Sequence, residues 1–386
     1  MERDSGRGAR PASGLEWSAA GSMESDVMQR SGRAGRRLVS GKRAARDRPD
    51  VSGDTRERAR QPARPQTSCP PEERPLKILL TGGAGFLGRH IARAASAAGH
   101  DVLVLSRHPE RVGELPARAR AVGGDLTLPK TLGPALATAP DAVVHAAAVV
   151  ADDDPHLTDV NVGGCANLLA ALTELPLLPR FVHISSFAVE DIPATAYSAS
   201  KLEAELLVRD SSLPWIVLRP ALIYGAGDGS NTPALVERLA AGSLWLPGGG
   251  RCTRIQPVHV DDVAAAVLAA LTWVDAPGRT YRLAGPAPLT VRAWREAVRE
   301  ASAGAAVIRS IPLPLFGLVA RALAALGKRG PLGVLSFHQA DHAVDIEAAR
   351  QDLGFSPCTT AAGLARTFSG GRLLSYAQGP HPPAAT

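Results

Sequence analysis

The stretch LKILLTGGAGFLG at residues 76–88 limits the fold more than any other part of the chain. A short β-rich apolar run leads directly into Gly82, Gly85 and Gly88. These open FLGRHIARAASAAG, whose apolar spacing predicts a helix ending at Gly99. A G-x-x-G-x-x-G spacing between strand and helix has a physical use. The first glycine permits a tight turn, the second lets backbone approach a pyrophosphate, and the third lets the helix pack closely on the strand. The helix N-terminus, which carries Phe86 and Leu87, attracts phosphate. At the head of a βαβ unit, the stretch predicts a dinucleotide site rather than an ordinary glycine-rich turn.

The chain beyond Gly99 keeps the same rhythm. HDVLVLS (100–106), RAVGGD (120–125), DAVVHAAAVV (141–150), RFVHISS (180–186) and WIVLRP (215–220) read as strands, with helices over 129–138, 157–174 and 196–209 between them. Such alternation predicts a parallel sheet covered on both faces, and continuous apolar runs suit strands buried on both sides. After Arg219 the alternation loosens. Gly- and Pro-rich segments at 225–233 and 247–251 precede or separate helices near 232–241, 261–273, 291–302 and 314–327. The expected architecture is α/β: a Rossmann-type doubly wound parallel sheet over 75–225, then a smaller substrate-binding lobe over 226–372. Residues of about 255–275 return to the sheet domain, and 373–386 form a flexible C-terminus.

A net charge of +6 raises nucleic acid as a partner, but its distribution removes the argument. Of the 43 Lys+Arg and 37 Asp+Glu, 16 and 11 fall in residues 1–74, leaving 27 and 26 for the rest. The basic excess belongs to a segment rich in Arg, Gly, Ser, Pro and Ala with no apolar period, expected to be a disordered tail. The tail lacks the apolar run of a secretory signal and holds too many acids for a transit peptide. It reads as a dispensable extension, with translation starting at Met23 or Met28. Cys69, Cys165, Cys252 and Cys358 form no C-x-x-C pair, which favours a reducing, cytoplasmic setting and argues against a zinc site. No apolar run reaches the roughly 18 residues of a membrane span. The nearest, 311–326, is broken by Pro312, Pro314 and Arg321 and is expected to pack as an amphipathic helix, with membrane-surface contact the weaker alternative.

AYSASK at 196–201 puts Tyr197 and Lys201 four residues apart, on one face of a helix. An ammonium near a phenol lowers its pKa from about 10 towards the range of a general acid/base. Alone the spacing is common; beside a dinucleotide loop it gains meaning. An NAD site usually carries an acid at the end of its second strand to hold the ribose 2′-OH. This chain has Ser106 and Arg107 there, then Arg111, and a hydroxyl with guanidiniums suits a 2′-phosphate better. NADP is therefore expected in preference to NAD.

Together these stretches resemble the extended short-chain dehydrogenase/reductase family, also called the NAD-dependent epimerase/dehydratase family. GDL at 124–126, HAAA at 145–148, VNVGGCANLL at 160–169, HISS at 183–186, LRPALIYG at 218–225, PVHVDDVA at 257–264 and DLGFSP at 352–357 follow its pattern in order, over roughly residues 76–370. The resemblance implies that Asp125 and Leu126 contact the adenine. Ala146 and Ala147 line the cofactor, Asn161 orders the site from its helix, and Pro220 to Ile223 flank the nicotinamide. It implies that Ser186, with Ser185 as understudy, donates a hydrogen bond to the substrate oxygen. Tyr197 would shuttle the proton, and Lys201 would lower the tyrosine pKa and hold the nicotinamide ribose. A homodimer through the helices at 157–174 and 196–209 is a further implication.

Other polar residues read as structural. Asp152–Asp154 form a solvated loop run, and His145 and His183 are core histidines with satisfied nitrogens. His259, Asp261 and Asp262 cap a helix. For the small-molecule substrate, Arg254 resembles an arginine that binds the diphosphate in nucleotide-sugar members. IQP at 255–257 departs from their aromatic stretch, and IPLPLFGLVARALAAL suits members acting on sterols or other hydrophobic alcohols and ketones. Three functions are compatible with these residues: an NADP-preferring oxidoreductase of a hydrophobic secondary alcohol or ketone, a nucleotide-sugar epimerase or dehydratase, and a non-catalytic dinucleotide-binding subunit. The retained Tyr197 and Lys201 tell against the last.

Overall fold

The computed structural model describes residues 74–190, 195–272, 277–327 and 330–376. The tail expected over 1–74 falls, apart from Arg74, outside the described residues, as does the C-terminus beyond Tyr376. Along the chain run β1 (Lys77–Thr81), α1 (Phe86–Ala97), β2 (Asp101–Ser106), β3 (Ala119–Gly123), α2 (Gly133–Leu136), β4 (Ala142–His145), α3 (Gly164–Thr173), β5 (Arg180–Ile184), α4 (Ala196–Asp210) and β6 (Trp215–Pro220). Next come β7 (Ile223–Tyr224), α5 (Asn231–Ala240), β8 (Ser243–Pro247), β9 (Arg254–Ile255), β10 (Val258–His259), α6 (Val260–Thr272) and β11 (Arg279–Leu283). The chain continues through β12 (Leu289–Thr290), α7 (Val291–Ala301), β13 (Val307–Ile311), α8 (Leu313–Ala325), α9 (Gly330–Gln339), α10 (Glu347–Leu353) and α11 (Thr360–Thr367).

Seven strands form one parallel sheet in the order β3-β2-β1-β4-β5-β6-β11. The order reverses between β1 and β4, which opens a crevice at the carboxyl ends of those strands. Alternation along the strands divides the core. Ile78 and Leu80 point to the face covered by α1, α6 and α10, where Ile91, Val267 and Leu353 meet them. Leu79, Val143 and Phe181 point to the face covered by α3 and α4, against Leu168, Leu172 and Val208. A separate cluster of Tyr224, Leu239, Ile255, Trp294 and Leu364 forms the core of the lobe.

Three features differ from the sequence reading. RTYRL at 279–283, expected inside the lobe, is the seventh strand of the sheet; its alternating polar residues suit an edge position. The helix at 311–326 does not pack as an amphipathic helix with its apolar face inward. The buried residues of α8 are Gly317 and Ala320, while Leu315, Leu318 and Val319 are exposed. The segment just past 372 is fastened to the domain. The Leu374 carbonyl accepts from Gly227 N (2.9 Å), and the Tyr376 hydroxyl donates to the Arg89 carbonyl (2.9 Å).

Candidate active site

The glycine loop is built around one close approach. Gly82 has φ +71°, and a Cβ there would fall 2.6 Å from Ala147 N and 2.7 Å from the Ala146 carbonyl carbon. A Cβ on Gly88 would fall 2.1 Å from the Gly82 carbonyl oxygen. The loop therefore turns through the left-handed region and lies against both α1 and the end of β4, which only glycine allows. Gly85 N donates back to the Gly82 carbonyl (3.0 Å). The amide end of α1 is left facing a cavity of ≈ 490 Å³ lined by Ala84, Phe86, Arg89, Asp228, Ser230 and Tyr376. A cradle that a Cβ would fill, at a helix N-terminus, fits a dinucleotide phosphate.

The neighbouring strand ends carry the other expected cofactor residues. Ala146 N donates to the Thr81 carbonyl (3.2 Å) and Ala147 N to Thr81 Oγ1 (3.3 Å), so the end of β4 is tied to β1. Asp125 Oδ1 accepts from Thr127 N (2.9 Å) and Thr127 Oγ1 (2.8 Å), and Leu126 is buried. Ser106 Oγ accepts from His108 N (3.1 Å) at the end of β2. Arg107 is exposed beside it and makes no ion pair among the described residues, whereas Arg111 pairs with Glu110. Pro220 ends β6, and Ile223 pairs with Val258 across β7 and β10.

Asn161 sits in a π-helical turn, Asp159–Gly163, at the head of α3. It is buried and clamps the loop after β4. Its Oδ1 accepts from Val149 N (2.7 Å), and its Nδ2 donates to the Val149 carbonyl (2.9 Å) and to Ser200 Oγ (2.9 Å). Its side-chain amide is fully engaged by Val149 and Ser200. Single π-turns of this kind recur at functional sites.

Helix α4 presents the tyrosine and the lysine. Thr195 and Ser198 form a reciprocal capping box, which fixes the start of the helix one residue before Tyr197. Ser186, just past β5, lies close enough to the Tyr197 phenol to pull its pKa down against the larger effect of burial. Ser185 is instead buried and donates to Glu205 Oε2 (2.8 Å), so Ser186 alone of the two faces the tyrosine. Glu205, wholly buried, also accepts from Arg219 Nη2 (2.7 Å) and Nε (3.0 Å) and from Arg209. This buried hub holds the ends of β5 and β6 against α4.

Lys201 departs from the sequence argument. It is 2% exposed, and its Nζ donates to the Ile184 carbonyl at 2.7 Å. Burial lowers its pKa to about 8. The Tyr197 phenol lies above its ordinary value, not below it. Burial raises it first, Ser186 pulls it down, and the Asp152 carboxylate raises it again. In this arrangement Lys201 secures the end of β5 beneath Ser186, and Tyr197 is a protonated phenol at neutral pH.

Sequence reasoning misses Asp152. It is not merely solvated: its Oδ1 accepts from Tyr197 N at 2.7 Å, satisfying a first-turn amide of α4. The available signal is a carboxylate in ADDDP close behind β4, but nothing in the sequence ties that loop to residue 197. The histidines also divide. His145 Nδ1 shares a hydrogen bond with Thr81 Oγ1 (2.8 Å) and burial lowers its pKa to about 3, while both ring nitrogens of buried His183 lack a partner among the described residues. Cys165, His145 and His183 bring their ligand atoms within 4.8 Å of one another. Burial first, and then the Lys201 ammonium, lowers the pKa of both histidines, and the same ammonium disfavours a metal cation there. Asp261 links α6 to α1 through His90 (2.6 Å) and Arg93 (3.4 Å) rather than only capping its own helix.

Arg254, expected near a diphosphate, lies half exposed on β9 and is paired with Asp341 through two hydrogen bonds.

The family model described as NAD dependent epimerase/dehydratase family matches residues 78–284. A 2-alkyl-3-oxoalkanoate reductase of Stenotrophomonas maltophilia is 31% identical over 324 residues, covering 73% of this chain and 95% of that protein. A 4-hydroxy-2-methyl-3-oxo-4-farnesyl-3,4-dihydroquinoline-1-oxide ketoreductase of Stigmatella aurantiaca is 28% identical over 316 residues, covering 73% and 92%. Among solved structures, an epimerase of Methanothermobacter thermautotrophicus superposes with a TM-score of 0.61 at 22% identity, over 76% of this chain and 91% of that one, and shares the fold.

Proposed function

Since the chain belongs to the NAD dependent epimerase/dehydratase family and is an NAD(P)-dependent oxidoreductase, we propose that it reduces a ketone of a hydrophobic, long-chain substrate with NADPH. The observation that carries this reading is the Tyr197 phenol set beside Ser186 at the end of β5 and held in its protonated form by burial. A protonated phenol is a proton donor, and a carbonyl being reduced needs one. Ser186 Oγ and the Tyr197 hydroxyl receive the substrate oxygen between them, and Tyr197 hands its proton to that oxygen as the alcohol forms. The bound dinucleotide supplies the hydride to the carbonyl carbon. Gly82, Gly85 and Gly88, with the amides of Phe86 and Leu87, hold the phosphates. Asp125 and Leu126 lie on the adenine side, Ala146 and Ala147 beside the ribose, and Pro220 and Ile223 beside the nicotinamide. Lys201 acts from below by fixing the strand end that carries Ser186.

The NADP preference is supported by the exposed Arg107 next to Ser106, free to meet a 2′-phosphate, with no acid at the end of β2. The substrate class is supported by the relatives, whose names describe acyl chains carrying a 3-oxo group or a farnesyl-bearing ketone. A nucleotide-sugar epimerase is the competing reading. The Arg254–Asp341 pair speaks against it, because the guanidinium proposed for the diphosphate is already held by a carboxylate. A homodimer is supported by the exposed Leu202 and Leu206 on α4.

The test combines cofactor and chemistry. NADPH and NADH are titrated by cofactor fluorescence on wild type and Arg107→Ala, and NADPH consumption is then followed with a 2-alkyl-3-oxo acid. NADPH is expected to bind more tightly than NADH, with the difference reduced in Arg107→Ala. Tyr197→Phe is expected to lose about a hundredfold or more in kcat while still binding NADPH. Full turnover by Tyr197→Phe, or no binding of either dinucleotide, removes the proposal. A wild type that instead prefers NADH and binds a UDP-sugar, with that binding lost in Arg254→Ala, supports the epimerase.

A further inference from the structure

Helix α8 is inside out. Its buried residues are both small, Gly317 and Ala320, and α9 packs there through Leu335, whose side chain would lie 3.6 Å from a Cβ on Gly317. Three of its large residues face outward while Phe316 and Leu323 are half-buried: Leu315 is 54% exposed, Leu318 67% and Val319 46%, with Leu326, just past the helix, at 78%. Positions 315, 318, 319, 322 and 326 follow i, i+3, i+4, i+7 and i+11, so they form one stripe down the helix. Contiguous exposed apolar surface of this kind marks an interaction site.

Charge identifies what covers it. Residues 301–340 contain no Asp or Glu, and they carry Arg309, Arg321, Lys328 and Arg329. Arg321 is exposed on α8 itself, beside the Leu318 side of the stripe. A two-fold contact with a second copy sets the same surface against itself, and here it would bring cations together with no carboxylate from this segment to pair them. Anionic lipid headgroups supply the missing charge, and the acyl boundary takes the leucines. No helix among the described residues is long and apolar enough to cross a membrane, so α8 would lie in the interface plane.

We propose that α8 is a membrane-docking face that seats the protein on an anionic bilayer surface. Leu315, Leu318, Val319 and Leu326 enter the headgroup boundary, and Arg321 meets lipid phosphates. The proposal is independent of the reaction assigned above, and its test reads no turnover.

The full-length protein is sedimented with vesicles of phosphatidylglycerol and phosphatidylcholine, and with phosphatidylcholine alone. Binding to the anionic vesicles is expected, weakened about tenfold or more without phosphatidylglycerol and by high salt. The double variant Leu318→Glu with Val319→Glu, both at solvent-facing positions, and the triple variant Arg321→Glu, Lys328→Glu, Arg329→Glu are each expected to reduce binding about tenfold or more. An unchanged NADPH titration and melting temperature establish that each variant is folded. Wild type that stays in solution with anionic vesicles overturns the proposal. So does a lipid-free dimer, seen by light scattering, that Leu318→Glu with Val319→Glu converts to monomer, because the face then joins two copies.

Discussion

Replacing Gly88 with alanine opposes two effects of known sign. Gly88 lies in the first turn of α1, where alanine gains about 1 kcal/mol in helix propensity over glycine. Against this, the added Cβ falls 2.1 Å from the Gly82 oxygen, 2.7 Å from the Gly82 carbonyl carbon and 2.7 Å from Gly83 Cα. A close C···O contact is roughly 3.3 Å, so helix and loop must part by about 1 Å. Every atom met is backbone, and no side chain can rotate away. Overpacking of this kind costs about 1–3 kcal/mol or more, which exceeds the propensity gain. The expected net loss is up to about 2 kcal/mol in urea denaturation. The same parting moves the amide donors at the start of α1. Loss of one hydrogen bond to a charged phosphate, worth about 1.5–3 kcal/mol, weakens NADPH binding about 10- to 100-fold. Gly163→Ala is the control: its backbone is helical at φ −59°, and an added Cβ meets nothing within 4 Å. That variant is expected to be neutral or stabilised by up to about 1 kcal/mol, with unchanged NADPH binding. Gly88→Ala matching Gly163→Ala in both stability and affinity would refute the close-packing account of the loop.

Lys201→Met should stabilise the apo protein at pH 7 while abolishing activity. The fall of the lysine pKa from 10.5 to about 8 represents a burial penalty of up to roughly 3 kcal/mol, offset in part by the lost bond to the Ile184 carbonyl. Proton binding sets the sign. Between pH 8 and 10.5 the unfolded chain holds the proton that the folded chain has released, so wild-type stability rises with pH there and the gap to Lys201→Met closes. Urea titrations at pH 7 and 10 check both points. Glu205→Gln should cost about 3 kcal/mol, because it leaves Arg219 short of its wholly buried partner and frees Ser185, and equilibrium unfolding measures it. Asp152→Asn removes a carboxylate that raises the Tyr197 pKa, so the alkaline limb of a kcat–pH profile for reduction should move to lower pH, with KM for NADPH unchanged.

The strand–glycine–helix stretch at 76–97 and the next five strands were legible because each is local. A buried parallel strand must be a continuous apolar run, and a loop lying against a helix must be glycine at a fixed offset. Helix α4 was legible for the same reason, since Tyr197 and Lys201 sit one turn apart on one helix. The residues set by contacts far apart in sequence were not. Asp152 meets Tyr197 across 45 residues, Asp261 meets His90 across 171, and β11 reaches β6 from the far side of the lobe.

The sequence by itself determined the doubly wound sheet, the glycine turn between β1 and α1 and the alignment of Tyr197 with Lys201, because helix and strand periods place residues on faces without reference to the rest of the chain. Only the tertiary structure decided what those faces meet. It turned Lys201 towards the Ile184 carbonyl, chose Ser186 over Ser185 by giving Ser185 to Glu205, and held the Tyr197 phenol protonated by burying it beside Asp152. It also turned Leu315 and Leu318 of α8 outward. Burial and charge proximity depend on the distances between elements, and those distances exist only once the elements have packed.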